Sequence, residues 1–421
     1  MRTTPLRAGA TLALVAVGLT ACTGLGPMPT PTSTPSAAAT VQPSGDGVLR
    51  IGTLFPTSGD IAFLGPALVA AAEVAVGDIN ASGGVLGAPV EVFHRDSGDA
   101  SGDDLETGMA DFVELGVDVV IGPATSVLAE RLIPLAAEAG MTVISPAATY
   151  PLLRGEDEGG VFFRTIPSYE KQGALIAESV LTAGGSSIVL VTDDDELGLA
   201  LESSIVAALA DEEQQLAGLE ALAASTNPEQ MANAIATLDP DAVVIATTSA
   251  LDEQTRALIV ALSDAGVSGR ALWLTSQNMA DYSATLPEAV LEGAYGVLEG
   301  APASDQFVAR LQQSDPAVRS YRYAAETYDA VVLAALAALE RGDDGGPSIA
   351  AGLPRITAEG YRCRSMAECR VVLDDLGAFH YAGLVGDVAF DSAGDVTKAD
   401  YGLHRYSEEN RPVRIGTLRL R

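Results

Sequence analysis

Five small polar clusters recur along this chain, each after a short apolar run: Thr57-Ser58, Thr125-Ser126, Ser145 to Thr149, Thr247-Thr248-Ser249 and Thr275-Ser276-Gln277. Hydroxyls and backbone N–H groups beside helix N-termini can hold a small anionic or polar solute without arginine. Ser and Thr also cap helices, so one cluster alone says little. Five in phase point to a polar cleft. Covalent and metal chemistry find little support. There is no GxxxxGK[ST] loop and no GxSxG elbow, and the three histidines, His94, His380 and His404, lie far apart. Asp193-Asp194-Asp195-Glu196 lacks the spacing of a calcium loop and reads as a solvated turn. Asp391-Ser392-Ala393-Gly394-Asp395 reads as a hairpin turn. The expectation is a binding protein, not an enzyme, with no metal and no cofactor.

The elements that must position these clusters alternate. A strand over 51–55 leads into Thr57-Ser58-Gly59, and Gly65-Pro66 opens an Ala-rich helix that stops at Ser82-Gly83-Gly84. Pro66 suits a first helical turn, where its missing N–H would have no partner. The glycine pair suits a helix exit that needs positive φ. Strands are then expected over 89–96, 118–121, 141–144, 187–192, 242–246 and 271–274. Helices are expected over 103–115, 127–139, 173–181, 199–210, 227–238, 253–264 and 323–340. Short, continuous apolar strands imply helices on both sheet faces. Their alternation with helices implies parallel sheets with right-handed crossovers, whose ligands bind beyond the carboxyl strand ends.

Composition narrows the setting. Arg2 and Arg7 precede an uncharged apolar run over 8–19 that is too short to span a bilayer. It ends in Leu19-Thr20-Ala21-Cys22, the pattern of a lipobox, so residues 1–21 read as a signal peptide and Cys22 as the lipidated residue. Residues 22–47 form a Pro/Thr/Ser/Ala tether with too few large apolar groups to fold. At ~3 Å per residue it would reach at most ~70 Å. The net charge of −32 argues against nucleic acid and anionic lipid as partners, leaving the lipid anchor as the membrane link. With Cys22 lipidated, Cys363 and Cys369 remain as a pair for a disulfide in an oxidising compartment. It is expected to pin a surface loop rather than hold the fold.

The phrases PTSGDIAFLG, DINASGGVLG, VVIGPATS, VISPAATYP, FFRTIPSYEKQG and YAGLVGDVAFDSAGD spread this pattern over most of 48–420. Together they resemble the leucine/isoleucine/valine-binding proteins, the ligand-binding subunits of branched-chain amino-acid ABC importers. The resemblance implies the type I periplasmic-binding-protein fold: α/β, with two doubly wound parallel-sheet lobes joined by a three-crossing hinge. It places crossings near Ile166, Glu299 and Leu384, lobe 1 at 48–166 plus 300–383, and lobe 2 at 167–299 plus 384–421.

The resemblance also implies that Ser126, Ala147 and Thr149 hold a ligand carboxylate, with Ala148 in the same turn and Ser58 and Thr248 at neighbouring strand ends. Positions that face the ligand or its ammonium in the family read Leu64, with Phe63 beside it, Tyr169, Leu197 and Gln277 here. None of these supplies a carboxylate, although Glu170 stands next to Tyr169. The expected ligand is a small carboxylate-bearing or otherwise polar solute, which need not be leucine, isoleucine or valine. The implied partner is an inner-membrane ABC permease, and the implied place is the outer face of the cell membrane. A ligand sensor for a membrane receptor, and an interaction lipoprotein with a degenerate cleft, stand as alternatives.

Overall fold

The computed structural model describes residues 42–420 except 152, 154–159, 194, 195, 301 and 359. The lipobox, nearly all of the tether, Asp194 and Asp195 lie outside the described residues. Two α/β lobes are built on two sheets. The first holds β1 (Arg50–Phe55), β2 (Glu91–Asp96), β3 (Val119–Ile121), β4 (Thr142–Ser145) and β5 (Phe162–Arg164) in the order β2-β1-β3-β4-β5, all parallel. The second contains β6 (Ile188–Thr192), β7 (Gly218–Ala221), β8 (Ala242–Ala246), β9 (Leu272–Leu274) and β10 (Tyr295–Glu299). A small pair, β11 (Tyr361–Cys363) and β12 (Phe379–Tyr381), stands apart. The second sheet is completed by β13 (Ala399–Tyr406) and β14 (Pro412–Leu420), giving β14-β13-β10-β9-β8-β6-β7.

The parallel rule fails at one edge. β13 pairs antiparallel with both β10 and β14. β14 returns beside β13 through the tight connection 407–411 and so pairs antiparallel, because a parallel return needs a crossover of a dozen residues or more. These strands are half exposed and carry charged residues, so they offer none of the continuous apolar runs that mark the inner strands.

The helices are α1 (Gly65–Ala81), α2 (Asp104–Leu115), α3 (Ser126–Ala139), α4 (Lys171–Thr182), α5 (Glu196–Ala210), α6 (Pro228–Ala236), α7 (Asp252–Asp264), α8 (Asp305–Ser314), α9 (Ala324–Arg341), α10 (Gly346–Ala358) and α11 (Met366–Leu376). Their ends follow local chemistry. Gly116 and Gly140 end α2 and α3 in the left-handed conformation. Pro228 opens α6 behind the side chain of Asn227, which accepts the N–H of Gln230. The apolar stretch Ala62–Ala81 has the length and composition of a membrane span. Its Ala71, Ala72, Ala75 and Ile79 are nevertheless buried in the core that α9 shares, which makes it a core helix.

The first core joins α1, α8, α9, α10 and α11 to one face of the first sheet. Cys363 and Cys369 form a disulfide and are both buried within it. The expectation of a surface pin is therefore corrected: the bond ties β11 to α11 inside the apolar layer. The flanking charges of Tyr361-Arg362-Cys363-Arg364 gave the sequence an exposed look. At the start of the body, Ser44 and Gly45 donate backbone N–H groups to Asp343 at 3.2 and 3.0 Å. Gly47 donates to Asp344 at 3.0 Å.

Residues 390–395 lie along β5, while the N–H of Val385 donates to Asp329 on α9 at 2.8 Å. The N–H of Arg164 donates to the carbonyl of Gly394 at 3.1 Å, and Phe390 meets Phe163 edge-on with centroids 5.3 Å apart. Gly394 has φ +78, and a Cβ there would strike the carbonyl of Phe162. The run Asp391–Asp395 does turn, with the N–H of Asp391 bonded to the carbonyl of Asp395. Asp395, at its end, is buried.

Candidate ligand-binding site

The carboxyl ends of β3 and β4 converge. Thr125, not Ser126, caps α3: its side chain accepts the N–H of Leu128 at 3.4 Å. Ser126 is thereby released for another task. Its Oγ accepts the N–H groups of Thr149 at 3.0 Å and Tyr150 at 3.1 Å. Ser145 Oγ donates to the carbonyl of Pro123 at 2.8 Å and accepts the N–H groups of Ala147 and Ala148 at 3.3 and 2.9 Å. Gly122, at φ +124, lets the turn pass close over the Leu54 carbonyl, where a Cβ would clash. The N–H groups expected to be free for a ligand are thus occupied by two serine oxygens. Ser126 Oγ uses both its lone pairs on these bonds and keeps its own proton to donate.

This first-lobe cluster continues into the second. Tyr169 donates its N–H to the carbonyl of Thr149 at 2.7 Å, and its hydroxyl meets Thr275 Oγ1 at 2.7 Å. A chain of contacts therefore runs Ser126, Thr149, Tyr169, Thr275, from the ends of β3 and β4 to the end of β9. Around it the second lobe is knitted together. Gln172 on α4 accepts the N–H of Ser276 at 3.0 Å and donates to Glu299 Oε2 at 3.1 Å. Asn278 accepts the Thr247 N–H at 2.9 Å and donates to its carbonyl at 3.0 Å. Thr248 donates both its N–H and its hydroxyl to Asp193 Oδ2. Asp193 thus holds the end of β8 and is no free turn residue.

The remaining expected residues fall in three settings. Leu64 is buried in the first core together with Ala147, and Leu197 is buried in the apolar cluster that holds Tyr169. Ser58 sits at the end of β1 beside Asp96. Burial raises the Asp96 carboxyl, but the N–H of Thr57, the Ser58 hydroxyl and the N–H of Gly98 outweigh it and bring it to about 2. Phe63, 62% exposed, and Gln277 point to solvent.

Arg164 and Asp395 escaped sequence reasoning. Arg164 donates Nε to Asp395 at 2.6 Å and Nη1 to the carbonyls of Ala148 and Tyr150 at 3.2 and 2.7 Å. It positions the turn that carries Ala147 to Thr149. One signal was available: an arginine ending the apolar strand Phe162-Phe163-Arg164 must find a partner if buried.

Access to this site is restricted. Ser126, Ala147 and Thr149 are 7%, 6% and 6% exposed, and Tyr169 is 1% exposed. Cavities of about 400 and 370 Å³ open instead at the backs of the connections between the sheets, one beside Lys398 and Asp400, the other beside Gly300 and Arg322.

The periplasmic binding protein family model matches residues 48–394, and the chain belongs to that family. The Leu/Ile/Val-binding protein BraC3 of Rhizobium johnstonii is 29% identical over 180 residues, which is 42% of this chain and 48% of that protein. The chain spans about half the length of the curated relatives it matches. An ABC transporter substrate-binding protein from Desulfitobacterium hafniense, complexed with Leu, has a TM-score of 0.65 at 22% identity, covering 87% of this chain and 100% of that one. A solute-binding protein of an ABC transporter from R. palustris, in complex with benzoate, has a TM-score of 0.58 at 20% identity, covering 88% and 96%. At these identities the structural likeness shows the fold.

Proposed function

We propose that the chain is the solute-capturing component of an ABC importer and takes a small carboxylate-bearing or polar solute between its lobes. The observation that carries this reading is the chain of contacts from Ser126 through Thr149 and Tyr169 to Thr275. It brings hydroxyls from both sheets to one place at the carboxyl strand ends, where ligands of open α/β sheets bind. The Ser126 hydroxyl donates a hydrogen bond to the ligand carboxylate, with Ala147, Ala148 and Thr149 lining the turn. Tyr169, Leu197 and Thr248 supply the second-lobe wall, and Ser58, Phe63, Leu64 and Gln277 the rim. The burial of Ser126, Ala147, Thr149 and Tyr169 means that the lobes part to admit the solute and close over it, a population shift driven by contacts made only in the closed state.

In this reading the lobes divide as 48–166 with 300–383 and 167–299 with 384–421, except that residues 385–396 travel with the first lobe against α9 and β5. Cys22 carries the lipid after removal of residues 1–21, holding the body at the outer face of the cell membrane beside an inner-membrane permease. The relatives named for leucine, isoleucine and valine, and the benzoate complex, share a ligand carboxylate, which supports that half of the recognition. Titration calorimetry with leucine, valine, benzoate and their amides tests it. Saturable binding of at least one acid, weakened in Ser126→Ala, is expected. Binding that ignores Ser126→Ala, or no binding by any acid, overturns it.

A further inference from the structure

The cavity of about 370 Å³ beside the β10 connection is built unlike the strand-end site and shares none of Ser126, Thr149, Tyr169 or Thr275. Its body is apolar, with Leu298 from β10, Val308 from α8 and Tyr321 from the segment before α9. Two buried acids line it, Glu299 and Glu326. Glu299 accepts from Gln172 at 3.1 Å and lies 3.6 Å from Arg322, and the charges of both acids act on Arg322. Two arginines also line it. Arg322 is 40% exposed there and stands 4.8 Å over the Tyr323 ring. Arg414, on β14, spends Nε on the Gly416 carbonyl at 3.1 Å and Nη2 on Thr417 Oγ1 at 2.7 Å. It has no carboxylate partner among the described residues.

We propose that this cavity is a second small-molecule site for an amphipathic organic anion. The apolar body of the ligand packs on Leu298, Val308 and Tyr321, and its carboxylate sits at the mouth beside Arg414. Size and polarity both fit: ligand pockets of a few hundred Å³ are mostly apolar, with a few placed polar groups, and arginine favours carboxylates through its planar fork. The walls come from α8 on the first lobe and from β10, β13 and β14 on the second, so an occupant touches both bodies.

Phenylacetate and its neutral isostere phenylacetamide are suitable probes, titrated calorimetrically into the protein. Four forms are compared: the parent, Arg414→Gln, Val308→Trp, which fills the cavity, and Ser126→Ala, which disables the strand-end site. A saturable phenylacetate site is expected to persist in Ser126→Ala, to weaken about tenfold in Arg414→Gln and to vanish in Val308→Trp. Phenylacetamide is expected to bind the parent about tenfold more weakly than the acid. No saturable heat up to ~10 mM phenylacetate overturns the proposal, as does heat that disappears in Ser126→Ala and survives in both cavity variants. Arg414 is exposed, so its variant keeps the test decisive if Val308→Trp fails to fold.

Discussion

Arg164 and Asp395 form a buried ion pair, Nε to Oδ1 at 2.6 Å, across 231 positions of sequence. The pair fastens the segment 385–396 to the end of β5 and, through Nη1, fixes the carbonyls of Ala148 and Tyr150. Asp395→Ala strands a buried guanidinium and is expected to destabilise the protein by about 3–5 kcal/mol in urea unfolding. The double replacement Arg164→Met with Asp395→Leu should cost less than Asp395→Ala alone, because no charge is left uncompensated. A double variant as unstable as the single one would show that the pair acts through shape, not charge.

Ser126 serves two backbone donors at once. Ser126→Ala leaves the Thr149 and Tyr150 N–H groups without their acceptor, so a loss of about 1–3 kcal/mol is expected. In the proposed site the same change removes the donor to the ligand carboxylate, so weaker binding is expected. Chemical denaturation together with calorimetry checks both effects, and a stable variant with unaltered affinity would count against the site.

Tyr169→Phe removes only the hydroxyl that meets Thr275. A cost of about 1 kcal/mol is expected, and Thr275→Val should cost a similar amount. The two changes combined should cost less than their sum, since they delete one shared bond. Strict additivity in a double-mutant cycle would deny the contact.

Asp118 gives the protein a pH dependence. Burial drives its carboxyl up to about 7; the N–H of Arg50 opposes this, and the charges of Asp344 and Asp46 add to it. An unfolded aspartate titrates near ~4. Between about pH 4 and pH 7 the folded state keeps a proton that the unfolded state has lost. This contribution to stability is therefore full below that window and falls as pH rises through it. Asp118→Asn can still accept the Arg50 N–H that Oδ2 now takes at 2.9 Å. It should be more stable than the parent at about pH 8 and show a flatter profile down to about pH 5. Parallel profiles for the two proteins would exclude this origin.

The disulfide closes a short loop, so Cys363→Ser with Cys369→Ser is expected to cost about 2 kcal/mol by loop-closure entropy. Burial of both residues adds the cost of placing two hydroxyls in an apolar layer. Melting temperatures with and without reductant, compared with those of the double variant, separate the two contributions.

The inner strands were legible because burial on both faces leaves an unbroken apolar run, as in Ala242–Ala246. Helix ends were legible where a glycine or proline stands at the boundary. β7 was not, because it is an edge strand with alternating exposure and no apolar run. β13 and β14 escaped because charged, partly exposed residues break any apolar run in them. In the site, the hydroxyl clusters could be found by type and spacing. Their partners could not, because Ser126 to Thr149 and Tyr169 to Thr275 are pairings made only by the folded chain. Arg164 shows the sharper limit: a charge in an apolar strand signals that a partner exists but not that it lies 231 positions away.

The grip of Asp343 and Asp344 on residues 44–47 sets where force enters the body. A load on the chain ahead of Ser44 passes into the junction between α9 and α10, beneath the first sheet. It does not run through the link from β5 to α4, through β10 or through the segment 385–396, the connections that lead to the second sheet. Tugging at the N-terminus therefore pulls on one half of the molecule and leaves the swing of the other half mechanically unburdened.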